Sequence, residues 1–375
     1  MNIRLMKQVD ASLGRLLTFV LPSASESADC SAPRSILLIR PGGIGDAVLL
    51  APAIGALKKT FPQAKLTVLA EKRNAGVFPL IPGVDQVLRY DVVREFKAAL
   101  SLKPDLVIDT EQYHRLPAVV ARLTGAAVRI GFATNERARL FHHAVPYSHD
   151  DYEADSFFHL LAPLGIKPPI AIDAAFLSIP APAQNRANQL LAPLVGHPFI
   201  ALFPGASIPE RRWGADRFNQ VAVRFAQQGY AIIVVGGGQD AATGDTILQA
   251  VGLEGLNLAG RTTLIETAAI LERATLLISG DSGVLHLGVG LGTPTVSLFG
   301  PGIAKKWAPR GRQHLVLNKH LTCSPCTRFG STNPCPQHAI CLQQITPEWV
   351  VEAASFLLAR AHCKEDIKAL TQIHP

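Results

Sequence analysis

Ala274-Thr-Leu-Leu-Ile-Ser-Gly-Asp-Ser-Gly-Val-Leu-His286 passes from an apolar run through a short polar turn into Val284-Leu-His-Leu-Gly-Val-Gly-Leu291. The succession reads as a buried strand, a tight turn and the start of a helix. The first backbone N–H groups of such a helix have no intrahelical acceptor, and the macrodipole places partial positive charge there, so the junction can hold a phosphate. Asp281, Ser282 and Gly283 then stand where a nucleotide would dock, with His286 one turn on. The plainer reading is that Asp281 or Ser282 caps the helix and His286 is a satisfied residue on its face.

Strand followed directly by helix is the unit of a parallel sheet, and the unit repeats in both directions. Upstream, strands are expected at 36–40, 65–70, 105–109 and 127–131, with a helix from about 46 to 60. A Pro-rich stretch at 168–198 carries one short helical run and reads as a crossover. Beyond it, strands at 199–203, 231–235, 275–279 and 295–299 alternate with helices near 215–228, 240–251, 264–273 and 283–291. The expected fold is α/β, with two Rossmann-like doubly wound domains facing a cleft at the carboxyl ends of their strands. The expected division is an N-terminal helix and linker at 1–33, a first Rossmann-like domain at 34–180, a second at 181–350 containing a Cys-rich loop at 323–341, and a C-terminal helix and tail at 351–375.

Composition agrees. In 375 residues, 48% hydrophobic against 17% charged side chains suits two well-buried cores, and continuous runs such as Ile36-Leu-Leu-Ile39 suit parallel strands covered on both faces. No run approaches the ~20 apolar residues of a spanning helix. A formal charge of +7 favours anionic partners. The basic residues are scattered, without a long Lys/Arg run or an aromatic ladder, so nucleic acid is not expected as a partner.

At the N-terminus Ile3, Met6, Val9, Leu13, Leu16, Leu17 and Val20 recur at helical spacing, while Arg4, Lys7 and Arg15 stay outside that stripe. Such a helix lies on an anionic membrane surface or docks on its own protein. Asp10, Gly14 and Arg15 interrupt a signal-peptide core and Asp29 argues against a lipoprotein reading of Cys30, so the expectation is a cytoplasmic protein, with peripheral attachment at the inner face of the cytoplasmic membrane left open by the two readings of the helix. Residues 22–33 read as a linker.

Three further loops follow predicted strands. Arg40-Pro-Gly-Gly-Ile-Gly-Asp46 is neither a Walker loop, which needs Gly-Lys-Ser/Thr, nor a dinucleotide fingerprint, which needs glycine where Val48 stands. Asp46 is placed either to cap the next helix or to accept a proton from a sugar hydroxyl, a weak nucleophile that gains about 10²–10⁴ in rate from such a base. Phe203-Pro-Gly-Ala-Ser-Ile-Pro-Glu-Arg-Arg-Trp213 offers Arg211 and Arg212 to a diphosphate. Gly236-Gly-Gly238 closes another strand and fits a ligand approach or a plain turn.

Taken in order, Arg-Pro-Gly-Gly-Ile-Gly-Asp46, Pro204-Gly-Ala-Ser with Arg-Arg-Trp213, and Ser-Gly-Asp-Ser-Gly-Val-Leu-His286 running on to Gly300-Pro301 resemble the ADP-heptose:lipopolysaccharide heptosyltransferases of glycosyltransferase family 9. The resemblance covers roughly residues 34–355 and implies a GT-B fold, metal-independent transfer and inversion at the anomeric carbon. By position it implies Asp46 as the catalytic base and Gly205, Ser207, Arg211, Arg212, Glu266, Asp281, Ser282, Gly283 and His286 as donor contacts. Gly43, Gly45, Glu111 and Arg115 fall on the acceptor side, where Asp109-Thr-Glu-Gln-Tyr-His-Arg115 departs from the family pattern and Arg115, Arg137 and Arg139 offer charge to acceptor phosphates. The implied partners are an ADP-heptose donor and a lipid-linked or phosphorylated saccharide acceptor. Two other outcomes stay open: transfer of a different nucleotide sugar to another glycan or a protein, and a non-catalytic nucleotide-sugar-binding scaffold.

Cys323-x₂-Cys326-x₈-Cys335-x₅-Cys341 gathers four of six cysteines in a Pro-rich loop with His338, apart from Cys30 and Cys363. Four thiolates can hold a structural zinc or iron, although the second pair lacks the x₂ spacing of a zinc ribbon; reduced thiols or a disulfide are the alternatives. No cofactor is expected to be required for catalysis.

Overall fold

The computed structural model describes residues 8–25, 32–169, 174–252, 255–327 and 332–372, with side chains described to Arg360. Ile3, Arg4, Met6, Lys7, Asp29 and Cys30, named above, lie outside that description, as does the side chain of Cys363. The chain divides into two compact units, Met1–Ile172 and Asp173–Pro375.

The first unit holds β1 (Ser35–Arg40), β2 (Lys65–Ala70), β3 (Gln86–Arg89), β4 (Leu106–Asp109), β5 (Val128–Phe132) and β6 (His143–Val145), paired in the order β3-β2-β1-β4-β5-β6. The second holds β7 (Phe199–Phe203), β8 (Ala231–Val234), β9 (Gly255–Asn257), β10 (Leu276–Gly280), β11 (Thr295–Phe299) and β12 (His314–Asn318), in the order β12-β11-β10-β7-β8-β9. Every pairing is parallel. Numbered within its own unit, each sheet has the 3-2-1-4-5-6 order of a Rossmann domain, as expected from the sequence.

The central strands form because their apolar runs are buried on both faces: Leu37, Leu38, Val107 and Ile108 in one sheet, Ile200, Leu202, Leu277 and Ile278 in the other, are all at most 2% exposed. The helix expected over 46–60 is two helices, Ile44–Leu49 and Ala51–Thr60, with Pro52 in the first turn of the second, where its missing N–H costs nothing. Ahead of β1, Asp10–Gly14 is a π-helical turn that continues as the helix Arg15–Val20. The last helix is Pro347–Gln372.

The strand order reverses between β1 and β4 in the first unit and between β7 and β10 in the second. Open α/β sheets bind ligands beyond the carboxyl ends of the strands flanking such a reversal. Pro41–Asp46 follows β1, Thr110–Arg115 follows β4, Pro204–Arg212 follows β7, and Asp281–Gly283 follows β10, so all four motif loops occupy these places within their own units.

Candidate active site

In the first unit the site is organised by Arg40, the last residue of β1. Its side chain is 2% exposed, donates to the carbonyls of Pro41 (2.6 Å) and Thr110 (2.9 Å), and lies over the Phe157 ring at 5.7 Å. One guanidinium nitrogen faces two carboxylates, Asp46 Oδ2 at 3.7 Å and Glu111 Oε2 at 3.8 Å. Gly42, at φ +102°, lets the chain turn over that nitrogen, because a Cβ there would stand 3.0 Å from it. The helix Ile44–Leu49 has Gly43 as its N-cap, and Asp46 sits in its first turn. Asp46 is the most accessible carboxylate of the group, with 24% of its side chain exposed.

Glu111 is buried and accepts the amides of Tyr113 (3.1 Å) and His114 (3.2 Å). Burial alone would push its carboxyl up, but Arg40, His114 and Arg137 outweigh that and hold it below the usual glutamate value. Asp109 behind it is fully buried, and burial pushes it up to about 6 despite its pairing with Arg137. Arg137 is itself fully buried, bonded to Asp109 and to the Glu111 carbonyl, and lies over Phe141. Arg115 donates to Glu136 at 2.7 Å and lies 3.8 Å from Asp10. Arg139 reaches the Thr18 and Phe19 carbonyls and the Ser23 hydroxyl. These three arginines are thus tied into the first unit's own framework.

In the second unit, Ser282 is the N-cap of the helix Gly283–Gly290; its hydroxyl accepts the Leu285 amide at 3.2 Å and meets Ser279 Oγ at 2.9 Å. That leaves the amides of Gly283 and Val284 in the first turn, which no helical carbonyl takes. Asp281 is buried beside Arg211, whose Nη1 lies 3.1 Å from Asp281 Oδ2. Gly280 permits this approach: a Cβ there would stand 3.2 Å from the Arg211 carbonyl. His286 is buried, and burial pushes its imidazole down to about 4 against the pull of Asp281, so it is neutral at physiological pH. Among the described residues, four buried side-chain atoms have no hydrogen-bond partner, and three are here: Arg211 Nε, Asp281 Oδ2 and His286 Nδ1.

The other donor candidates surround this point less tightly. Gly205 is buried against the Asp240 carboxylate, where a Cβ would come within 2.7 Å. Ser207 and Arg212 are exposed, Arg212 reaching the Ala206 carbonyl at 3.4 Å. Glu266 forms a capping box with Thr263, its Oε2 accepting the Thr263 amide at 2.8 Å.

Sequence reasoning did not single out Arg40, Gly302 or Thr327. A Cβ on Gly302 would fall 2.1 Å from Asp281 Oδ2, so only glycine leaves that carboxylate in place. Thr327 Oγ1 accepts from Arg211 Nη2 at 3.4 Å and joins the Cys-rich loop to the site. Arg40 had one legible signal, a lone cation closing the apolar run Ile36-Leu-Leu-Ile39.

Cys323, Cys326, Cys335 and Cys341 are free thiols; the first two are exposed and Cys341 is buried. Burial, with the neighbouring thiols, pushes Cys326 and Cys341 up. Among the described residues no three His, Cys, Asp or Glu side chains are gathered to hold a metal ion. No helix among them is long and apolar enough to cross a membrane.

The sequence model of glycosyltransferase family 9 (heptosyltransferase) matches residues 93–336, well over half of the chain. The chain belongs to this family. It is therefore a glycosyltransferase. This family-9 enzyme is 25% identical over 334 residues to lipooligosaccharide heptosyltransferase 2 of Campylobacter jejuni, with 87% of this chain and 99% of the relative covered. Its fold matches a family-9 glycosyltransferase from Veillonella parvula (TM-score 0.74, 22% identity, 89% and 99% covered) and E. coli ADP-heptose lps heptosyltransferase II (0.73, 20%, 88% and 99%). The iron-containing dodecameric glycosyltransferase TibC of enterotoxigenic E. coli shares the fold more distantly (0.57, 14%, 90% and 80%).

Proposed function

We propose that this glycosyltransferase moves a heptose from ADP-heptose to a hydroxyl of the lipopolysaccharide core or a related lipid-linked saccharide, at the cytoplasmic membrane face. Asp46 acts as general base: its carboxylate takes the proton of the acceptor hydroxyl, the freed oxygen attacks the anomeric carbon opposite the diphosphate, and the bond to the diphosphate breaks, so the product is inverted. ADP leaves carrying the charge of that bond. Arg211, Arg212 and the Gly283 and Val284 amides are the groups that take up this charge, which is the part a divalent cation would otherwise play. Glu266 contacts the nucleoside, and Asp281 and His286 contact the sugar and phosphates. On the acceptor side Gly43 and Gly45 allow close approach, while Glu111 and Arg115 shape the loop beyond β4.

The observation that carries the donor half is the pair of partnerless buried atoms Arg211 Nε and His286 Nδ1, beside the Arg211–Asp281 ion pair and a helix N-terminus. A sugar nucleotide offers each of them a partner, whereas burying them unpaired is costly. The acceptor half is supported by Asp46 being both ion-paired to Arg40 and partly open. The Cys-rich loop is proposed as structural; elemental analysis of protein purified without added metal tests it for zinc or iron, and a metal-free, fully active protein removes the metal.

The test is Asp46→Asn. Turnover should fall by about 10²–10⁴, with donor affinity by calorimetry within about twofold, since the base is needed only in the transition state. Full activity in the variant would sink the base assignment. Titration with UDP- and GDP-sugars beside ADP-heptose tests the donor, and selective binding of either of the others would overturn it.

A further inference from the structure

The N-terminal segment docks by one face only. Asp10 is buried and its Oδ1 accepts the amides of Arg115 and Leu116 (both 2.8 Å), which caps the helix Leu116–Leu123 from outside. Thr18 is fully buried, and Leu17 and Leu21 pack on the core around Val119 and Phe141. The opposite face is apolar and turned to solvent: Leu13 is 46% exposed, Leu16 58%, Phe19 56% and Val20 69%.

Charge is sorted the same way. Asp10 is the one acid in the first twenty residues, and it is on the docked face; the Arg15 side chain is 66% exposed beside the apolar stripe, with Glu136 at 3.5 Å. Arg139 lies over the Phe19 ring at 5.9 Å, and Arg122 reaches the Pro22 carbonyl at 3.3 Å. An apolar stripe bordered by cations, with the acid withdrawn, matches a surface whose interior is apolar and whose headgroups are anionic. A second copy of this chain is a poorer occupant, because the same cations would meet across the contact.

We infer that the helix Arg15–Val20, with Leu13 before it, is an anionic-membrane docking face: Leu13, Leu16, Phe19 and Val20 enter the interface while Arg15 and Arg122 meet lipid phosphates and Arg139 holds the helix in place. This deepens the proposal of a membrane-borne acceptor by naming the surface that reaches it. It rests on that reading for its purpose only, since vesicle binding is read without donor or acceptor.

The test is flotation of the full chain with phosphatidylcholine vesicles, with and without phosphatidylglycerol, in the absence of donor and acceptor. The wild type should float with phosphatidylglycerol vesicles and be partly released by salt. The double variant Leu16→Glu/Phe19→Glu should bind at least about tenfold more weakly. It should keep its far-ultraviolet spectrum and its turnover on a delipidated soluble acceptor, which separates this failure from failure of the transferase reading. No flotation of the wild type, or equal flotation of the variant, overturns the inference. So does a dimer in light scattering that the same variant dissolves without any change in lipid binding.

Discussion

Arg40→Met is the sharpest perturbation of the first unit. The guanidinium it removes donates to two carbonyls and faces Glu111 and Asp46 at 3.8 and 3.7 Å. Glu111, whose side chain is 8% exposed, would be left with burial and no cation at its Oε2. Removing one partner of a buried ion pair costs about 3–5 kcal/mol; these contacts are long, so about 3 kcal/mol is the working figure. At roughly 2–4 °C per kcal/mol for a unit of this size, its melting temperature should fall by about 6–12 °C.

The cost must also depend on pH. In the wild type Glu111 sits below its usual value, so its contribution is present above the unfolded pKa and is lost as pH falls. Without Arg40, the largest of the charges that hold Glu111 down, its carboxyl rises, so the variant gains less stability than the wild type as pH climbs. The gap between the two proteins should therefore widen from pH 4.5 to 7.5 in scanning calorimetry, and Arg40→Lys should recover part of it. A gap that is constant, or larger at pH 4.5, refutes the account of Arg40 as the counter-charge of Glu111.

Gly302→Ala sets a methyl group 2.1 Å from Asp281 Oδ2, and displacing that carboxylate should cost about 1–3 kcal/mol, read as weaker donor binding in calorimetry; an unchanged Kd removes Asp281 from the donor site. His286 and His314, both in the second unit, are pushed by burial down to about 4. The unfolded chain binds those protons from about pH 6.5, so the stability of that unit should be full above pH 6.5 and fall by roughly 3 kcal/mol per histidine as pH drops to 4. His314→Gln should flatten that slope, and an unaltered slope would show that His314 is not held neutral.

What was legible in the sequence follows burial. The central strands β1, β4, β7, β8, β10 and β11 are continuous apolar runs because they are covered on both faces and paired on both sides. The strands that escaped, β3, β6, β9 and β12, lie outside that centre: Gln86–Arg89, His143–Val145 and Gly255–Asn257 are short and only partly buried, so nothing in their composition separates them from loop. The N-terminal periodicity was legible, but Asp10, which reads as an interruption, is the buried cap of a helix that begins more than a hundred residues later.

The site divides along the same line. Glycine-rich turns after apolar strands announce themselves locally, so the loops that carry Gly43, Asp46, Gly205, Asp281 and Ser282 could be placed at the ends of their strands from neighbours in the chain. Arg40 acts through the register that sets Ile39 opposite Asp109 and so brings the loops after β1 and β4 together, and Gly302 acts through a turn folded back onto Asp281. Such roles arise only when the sheet closes. At Ser282 the plain and the functional readings of a motif need not compete: by capping Gly283–Gly290 with its own hydroxyl it fixes the turn in which Asp281 meets Arg211, and it still leaves the Gly283 and Val284 amides without a helical acceptor.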